Sequence, residues 1–200
     1  MTIVFPLLVT MIVVAVIVLL VRRDPAKRAV VFKRAGFAVM AAFTLFFGLF
    51  IVGETFDDPG GWKALGLVSA WLVPLAGIAL VAELRPGWAV PMFAALITVL
   101  IGLSIWFAVS PAEWRAFENG NGPIRAIVTF VVAAGVAVLG LKRTAAAGVM
   151  LLVLGIVPLA VASVGSLAGT GSLAVAASAP VITGILYLLS AGTGRTSRPA

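Results

Sequence analysis

The sequence contains no cysteine and no histidine, and these two absences exclude several kinds of chemistry. Without cysteine, the chain forms no disulfide and has no thiolate to hold zinc or an iron–sulfur cluster. Without histidine, it lacks the usual protein ligand of haem and catalytic zinc, and also the commonest general acid–base group. We therefore expect no cofactor, and we interpret the chain as non-enzymatic.

Charged residues are also scarce. They make up 10% of the 200 residues, whereas a typical soluble domain has about 25%. Hydrophobic residues make up 62%, and the mean hydropathy is +1.22. The apolar stretches are long and do not alternate with polar residues, as the strands of a membrane barrel would. The sequence therefore predicts an all-α, polytopic transmembrane helical bundle.

Seven apolar segments approach the length of about 20 residues that a helix needs to cross a bilayer. They are Ile3–Val21, Ala35–Gly53, Ala64–Ala82, Trp88–Val109, Ala126–Leu141, Gly148–Gly165 and Leu173–Ala191. The fifth is the shortest. No stretch outside these spans is long enough to fold separately, so we treat residues 1–191 as one transmembrane domain. Residues 192–200 are expected to form a short, disordered cytoplasmic tail.

The basic residues are distributed unevenly among the segments that connect these spans. One set of alternate segments holds eleven of the 14, namely Arg22, Arg23, Lys27, Arg28, Lys33, Arg34, Arg85, Lys142, Arg143, Arg195 and Arg198. The other set holds Lys63, Arg115 and Arg125. Because Lys and Arg collect in cytoplasmic loops, we predict an outside N-terminus and a cytoplasmic C-terminus. The Ala-, Val-, Gly- and Arg-rich composition suggests a bacterial cell membrane.

The net charge of +7 has the same explanation. In a membrane protein, topology-setting basic residues account for such an excess. A nucleic-acid-binding surface would instead show a basic stripe interleaved with aromatic residues, which this sequence lacks. We therefore expect no nucleic-acid partner.

The predicted spans carry no Asp, Glu, Lys or Arg at their centres. Proton-coupled pumps, retinal proteins, voltage sensors and intramembrane aspartyl proteases all require such residues, so these classes are excluded. The polar groups that remain are hydroxyls, which we expect to bond to carbonyls of their own helix or to neighbouring helices. Trp71 lies well inside the third span and is interpreted as a packing residue.

Small residues recur along the last two spans. Gly148, Gly155 and Ala162 are spaced by seven residues in the sixth span, and Ala177 and Gly184 have the same spacing in the seventh. Helices associate in lipid through such faces, because close backbone approach increases van der Waals contact. The pattern predicts that these two spans pack together inside the bundle.

Two charged clusters are candidate sites. Glu54, Asp57 and Asp58 lie beside a Pro-Gly-Gly turn in a predicted outer loop, where carboxylate and carbonyl oxygens would suit a hard cation. A solvated turn is the plainer interpretation of this weak metal candidate. The first inner loop carries six basic residues, which are expected to bind anionic lipid headgroups. They are Arg22, Arg23, Lys27, Arg28, Lys33 and Arg34.

No motif in the sequence indicates a reaction or a transported solute, and several functions stay open. The leading hypothesis is an accessory or structural subunit that works with another membrane protein or a transporter subunit. The alternative is a small permease or channel for a neutral or lipophilic solute. In it, spans kinked by Pro74, Pro91, Pro158 and Pro180 would line the path. A membrane enzyme that uses the outer carboxylates ranks below both.

Overall fold

The computed structural model describes residues 25–57, 61–110, 112, 124–164 and 170–195. These residues form six α-helices and no strand. The helices are α1 (Pro25–Asp57), α2 (Gly61–Leu84), α3 (Pro86–Val109), α4 (Ile124–Gly140), α5 (Thr144–Val164) and α6 (Thr170–Arg195). They correspond to the second to seventh predicted spans. The first, Ile3–Val21, lies outside the described residues.

Four of the six helices are long and apolar enough to cross a membrane. The qualifying stretches are Lys27–Leu49, Gly61–Leu84, Pro86–Trp106 and Thr144–Val161. Ile127–Gly140 in α4 and Ala177–Thr193 in α6 are apolar but shorter. The all-helical architecture with several candidate spans is therefore confirmed. The count of seven spans and the orientation of the chain stay predictions.

The helix α1 begins earlier than the sequence analysis placed it. Residues 25–34 were expected to belong to a basic loop, but they are helical from Pro25 onward. That part of the loop prediction was wrong. Hydropathy reports where a chain prefers lipid, whereas Ala, Lys and Arg are good helix formers on either side of the membrane boundary. Pro25 also suits the first helical position, because its fixed φ is already helical.

The helix α6 likewise continues beyond its predicted end at Ala191. It ends at Arg195, so residues 192–195 of the expected tail are helical. Residues 196–200 lie outside the described part of the chain.

The two short links, between α2 and α3 and between α4 and α5, follow from local chemistry. Pro86 cannot continue α2, since it lacks the N–H group that a helix interior requires, and it forces Arg85 out of the helical conformation (φ −132°, ψ 64°). The next helix then begins with Pro86 at its first position. The second link turns through Leu141, Lys142 and Arg143 before α5 begins. Each link joins two helices that contact one another.

The centre of the described bundle is α4, which contacts all five other helices. From Phe130 to Gly140 every residue is buried or nearly so. Close approach depends on small residues here: a Cβ placed on Gly135 would overlap Ile78 of α2 and the Phe93 ring of α3. The shortest predicted span is therefore the core helix of the bundle.

The predicted packing of the last two spans is confirmed for the described residues. The α5 and α6 helices form the most extensive helix pair in the structure. A Cβ on Gly155 would lie 2.6 Å from Cγ2 of Val181 and 3.1 Å from the Ala177 carbonyl oxygen. A Cβ on Gly184 would lie 2.9 Å from the Gly148 carbonyl oxygen. The side chain of Ala162 lies outside the described part.

Candidate functional site

The C-terminal end of α4 collects polar contacts from three other segments. A helix leaves its last four carbonyl groups without partners in the helix. Here the Ala137 carbonyl accepts the Tyr187 hydroxyl at 2.6 Å, and the Gly140 carbonyl accepts the Thr144 hydroxyl at 3.0 Å. The intervening carbonyls of Val138 and Leu139 accept backbone N–H groups of the following turn at 2.8–3.1 Å. The buried end of this helix is therefore fully hydrogen-bonded.

Tyr187 of α6 is completely buried between α1 and α4. Glycines make room for its ring: a Cβ on Gly36 would lie 3.0 Å from the ring edge, and a Cβ on Gly140 would overlap the ring. A phenol buried in an apolar core needs an acceptor for its hydroxyl, and the Ala137 carbonyl supplies it. Tyr187 therefore joins three helices through one side chain.

Two more hydroxyls extend this polar face of α6 onto α1. Thr183 donates to the Gly36 carbonyl at 3.3 Å, and Ser190 donates to the Ala29 carbonyl at 2.7 Å. Thr183, Tyr187 and Ser190 are spaced by four and three residues, so they lie on one helix face. The sequence analysis missed Tyr187 and Ser190 as contact residues. Their helical spacing with Thr183 was the available signal.

Other hydroxyls bond within their own helices, as expected. Thr44, Thr98 and Ser104 each donate to the carbonyl four residues earlier, at 2.8–2.9 Å. In this pattern the hydroxyl is satisfied locally and offers no donor to a solute. The prediction for these three residues is confirmed.

An apolar groove of about 480 Å³ lies between α1 and α2, with α4 as its floor. The α1 wall includes Phe37, Ala41 and Leu45, the α2 wall includes Leu72 and Leu75, and the floor includes Ala134. Thr44 also lines the groove, but its hydroxyl donates to the Met40 carbonyl at 2.8 Å. The groove therefore presents an almost entirely hydrocarbon surface.

Trp71 packs between α2 and α1 beside this groove. A Cβ on Gly48 would lie 2.5 Å from Cη2 of the indole, so glycine is what allows the ring to approach α1. The predicted packing role of Trp71 is confirmed, since the side chain is 9% exposed. Its Nε1 atom is buried and has no hydrogen-bond partner. An unpaired buried donor costs roughly 1–3 kcal/mol, which the close packing must offset.

Charged side chains lie at one end of the groove. Lys33 of α1 donates from Nζ to the Leu141 carbonyl at 3.3 Å, just past the C-terminus of α4. A cation is favoured there by the helix dipole. Lys142 forms an ion pair with Glu83 of α2, with 2.8 Å between Nζ and Oε1. Arg34, next to Lys33, is exposed. The basic segments of α1 and of the α4–α5 link therefore meet at one end of the bundle.

The remaining predicted site residues are only partly placed. Lys27 and Arg28 lie in the first turn of α1, whereas Arg22 and Arg23 lie outside the described residues. In the metal candidate, Glu54 and Asp57 belong to the last turn of α1, but their side chains and Asp58 lie outside the description. Lys33 has a defined contact with the Leu141 carbonyl, and the metal hypothesis stays a prediction.

No family model, curated protein or solved structure matches this chain. Its function is therefore argued from the geometry alone. In the described residues, the buried side chains that carry a hydroxyl are Ser104, Thr183, Tyr187 and Ser190, and none of the buried side chains is charged.

Proposed function

We propose that this chain is a non-enzymatic, multi-pass protein of the cytoplasmic membrane that acts as an accessory or structural subunit. The main support is the use made of its interior hydroxyls. Tyr187, Thr183 and Ser190 all donate to backbone carbonyls of other helices, so they hold the bundle together. Such donors are not available to bind or activate a substrate.

The chemistry of the interior agrees with this proposal. Enzymes need a nucleophile or acid–base group held beside a partner that activates it. Transporters of ions or polar solutes need charged or polar groups that face a pathway. The described interior of this bundle is packed with Ala, Val, Leu and Phe side chains around α4. A packed interior of this kind suits a scaffold.

The alternative is a permease or channel for a lipophilic solute, and the apolar groove favours it. The groove opens to the side of the bundle between α1 and α2. Pro74 lies within α2, next to the lining residue Leu75, and interrupts the backbone hydrogen bonds of that helix, which would allow it to bend. A polar solute gains nothing from such a lining, so the alternative applies to lipophilic solutes only.

Two measurements on the purified protein distinguish these functions. The chain, tagged at its C-terminus and produced at its native level, would be extracted in mild detergent and weighed by native mass spectrometry. We expect a complex that contains one other membrane protein at fixed stoichiometry. The same chain alone in liposomes should give no more flux of a lipophilic dye than protein-free vesicles. Flux by the isolated chain, with no associated protein, would show that the permease alternative is correct.

A further inference from the structure

The apolar groove has the length of a lipid chain. Its α1 wall extends from Phe37 to Leu49, which corresponds to about 18 Å along a helix axis. One leaflet of a bilayer contributes about 15 Å of hydrocarbon. Side chains along the open edge are well exposed, with Leu45 at 66% and Leu49 at 65%. In a membrane, these surfaces face hydrocarbon.

The end of the groove near Phe37 is positively charged. Lys33 and Arg34 lie four and three residues before Phe37, so they continue the face of α1 that lines the groove. On the α2 side, Glu83 lies four residues after the lining residue Ala79, but it is paired with Lys142. The ion pair neutralises Glu83, so Lys33 and Arg34 are the cations that continue the lining face of α1.

We propose that the groove binds one anionic phospholipid, with an acyl chain along α1 and α2 and the phosphate at Lys33 and Arg34. Charge complementarity selects this occupant. A phosphate oxygen accepts hydrogen bonds from a guanidinium and an ammonium together. An apolar helix of a partner protein or a second copy of this chain would place no anion there. This site is independent of the accessory role and goes beyond it.

The floor of the groove gives the site a rigid shape. Ala134, Ala137 and Val138 come from the core helix α4, whose end is fixed by the Tyr187 and Lys33 hydrogen bonds. Lys33, which continues the lining face of α1, is itself fixed by its hydrogen bond to the Leu141 carbonyl, three residues past the lining residue Val138. A preformed groove loses little conformational entropy when a chain binds.

Two neighbouring alanines of α1 provide the test. Ala41 and Ala42 are both exposed on α1, but of the two only Ala41 lines the groove. Ala41→Phe should fill the groove, and Ala42→Phe should add the same ring to the lipid-facing surface. Each purified protein would be titrated with phosphatidylglycerol or phosphatidylcholine of identical chains and weighed by native mass spectrometry. We expect the wild type and Ala42→Phe to retain one phosphatidylglycerol, and Ala41→Phe to bind it about tenfold more weakly.

The charge is tested separately with Arg34→Gln. Each basic residue near an anionic surface contributes about 1 kcal/mol, so this change should lower the preference for phosphatidylglycerol over phosphatidylcholine about five-fold. Arg85→Gln removes an exposed charge from the α2–α3 link and should leave the preference unchanged. Arg34→Gln keeps the groove intact, so it also tests the site if Ala41→Phe lowers the thermal unfolding midpoint.

The proposal is overturned by three results. The first is equal retention of phosphatidylglycerol by the Ala41→Phe and Ala42→Phe proteins, because the lipid would then bind elsewhere. The second is equal affinity of the wild type for the two lipids. The third is loss of a second protein copy or of a partner protein in Ala41→Phe with lipid unchanged, which would assign the groove to that protein. Failure of the lipid site alone would leave the accessory role standing, since that role is tested by the native complex.

Discussion

Tyr187 is the residue at which three helices meet. Its ring lies between Gly36 of α1 and Gly140 of α4, and its hydroxyl donates to the Ala137 carbonyl at 2.6 Å. That carbonyl is one of the four that end α4. The side chain therefore fills space between helices and also satisfies a helix terminus that water cannot reach.

We expect Tyr187→Phe to lower the free energy of unfolding by about 1–2 kcal/mol. The ring remains, so packing is preserved, but the Ala137 carbonyl loses the partner that the hydroxyl provided. Thermal unfolding of the purified protein in detergent measures the effect. Thr98→Val is the control, because Thr98 is exposed and its hydroxyl bonds within its own helix. Equal shifts for the two variants would show that the Tyr187 hydrogen bond has no special importance for stability.

At the scale of helices, the α5–α6 pair depends on glycine. Gly155→Leu would place a side chain where Cγ2 of Val181 and the Ala177 carbonyl already lie within 2.6 and 3.1 Å of the new Cβ. Separating the helices should cost about 1–3 kcal/mol or more, which thermal unfolding in detergent would detect as a lower midpoint. Gly102→Leu on α3 is the control, since nothing lies within 4 Å of its Cβ position. It should be neutral or slightly stabilising, because leucine is the better helix former. A similar loss in both variants would contradict close packing as the cause.

This pairing and the approximate positions of six helices were predictable from the sequence. Long apolar runs and the spacing of Gly148, Gly155, Ala177 and Gly184 carry that information directly. The start of α1 was not predictable in this way, because hydropathy does not report backbone conformation outside the membrane. The central position of α4 was also missed, since a short span has no sequence signal for the number of its neighbours.

The groove and the polar contacts of α6 were even harder to predict from the sequence. Thr183, Tyr187 and Ser190 donate to backbone carbonyls, and every residue has a carbonyl, so no pattern of side chains identifies the acceptor. The groove lies between α1 and α2 over α4, and its small lining residues, such as Ala41, have no sequence feature that distinguishes them from other alanines in a span. The basic residues beside it were identified as lipid-binding candidates, but their position at the end of a groove required the structure.

For the whole molecule, side-chain contacts place the basic segments at one end of the described bundle. Ser190 near the end of α6 reaches Ala29 near the start of α1, at 2.7 Å. Lys33 reaches the α4–α5 link, and Lys142 in that link reaches Glu83 near the end of α2. The segment between α3 and α4 must therefore begin and end at the opposite end. Because basic residues are retained in the cytoplasm, this arrangement supports an inward orientation of the basic end.

We expect reporter fusions at Gly120 and after Ala200 to lie in opposite compartments. Gly120 belongs to the α3–α4 connection, which should be outside, and the C-terminus should be in the cytoplasm with Lys142 and Arg143. Alkaline phosphatase, which is active only outside, should be active at Gly120 and inactive at the C-terminus, and a green fluorescent protein fusion should show the reverse.

A fusion at the N-terminus tests the first predicted span, Ile3–Val21, and should report the outside. If the N-terminal fusion reports the cytoplasm while the other two fusions give the expected results, that segment does not cross the membrane and the bundle has six spans. If Gly120 and the C-terminus report the same side, one of the two short apolar helices, α4 or α6, fails to cross. The orientation would then have to be assigned again from the basic end.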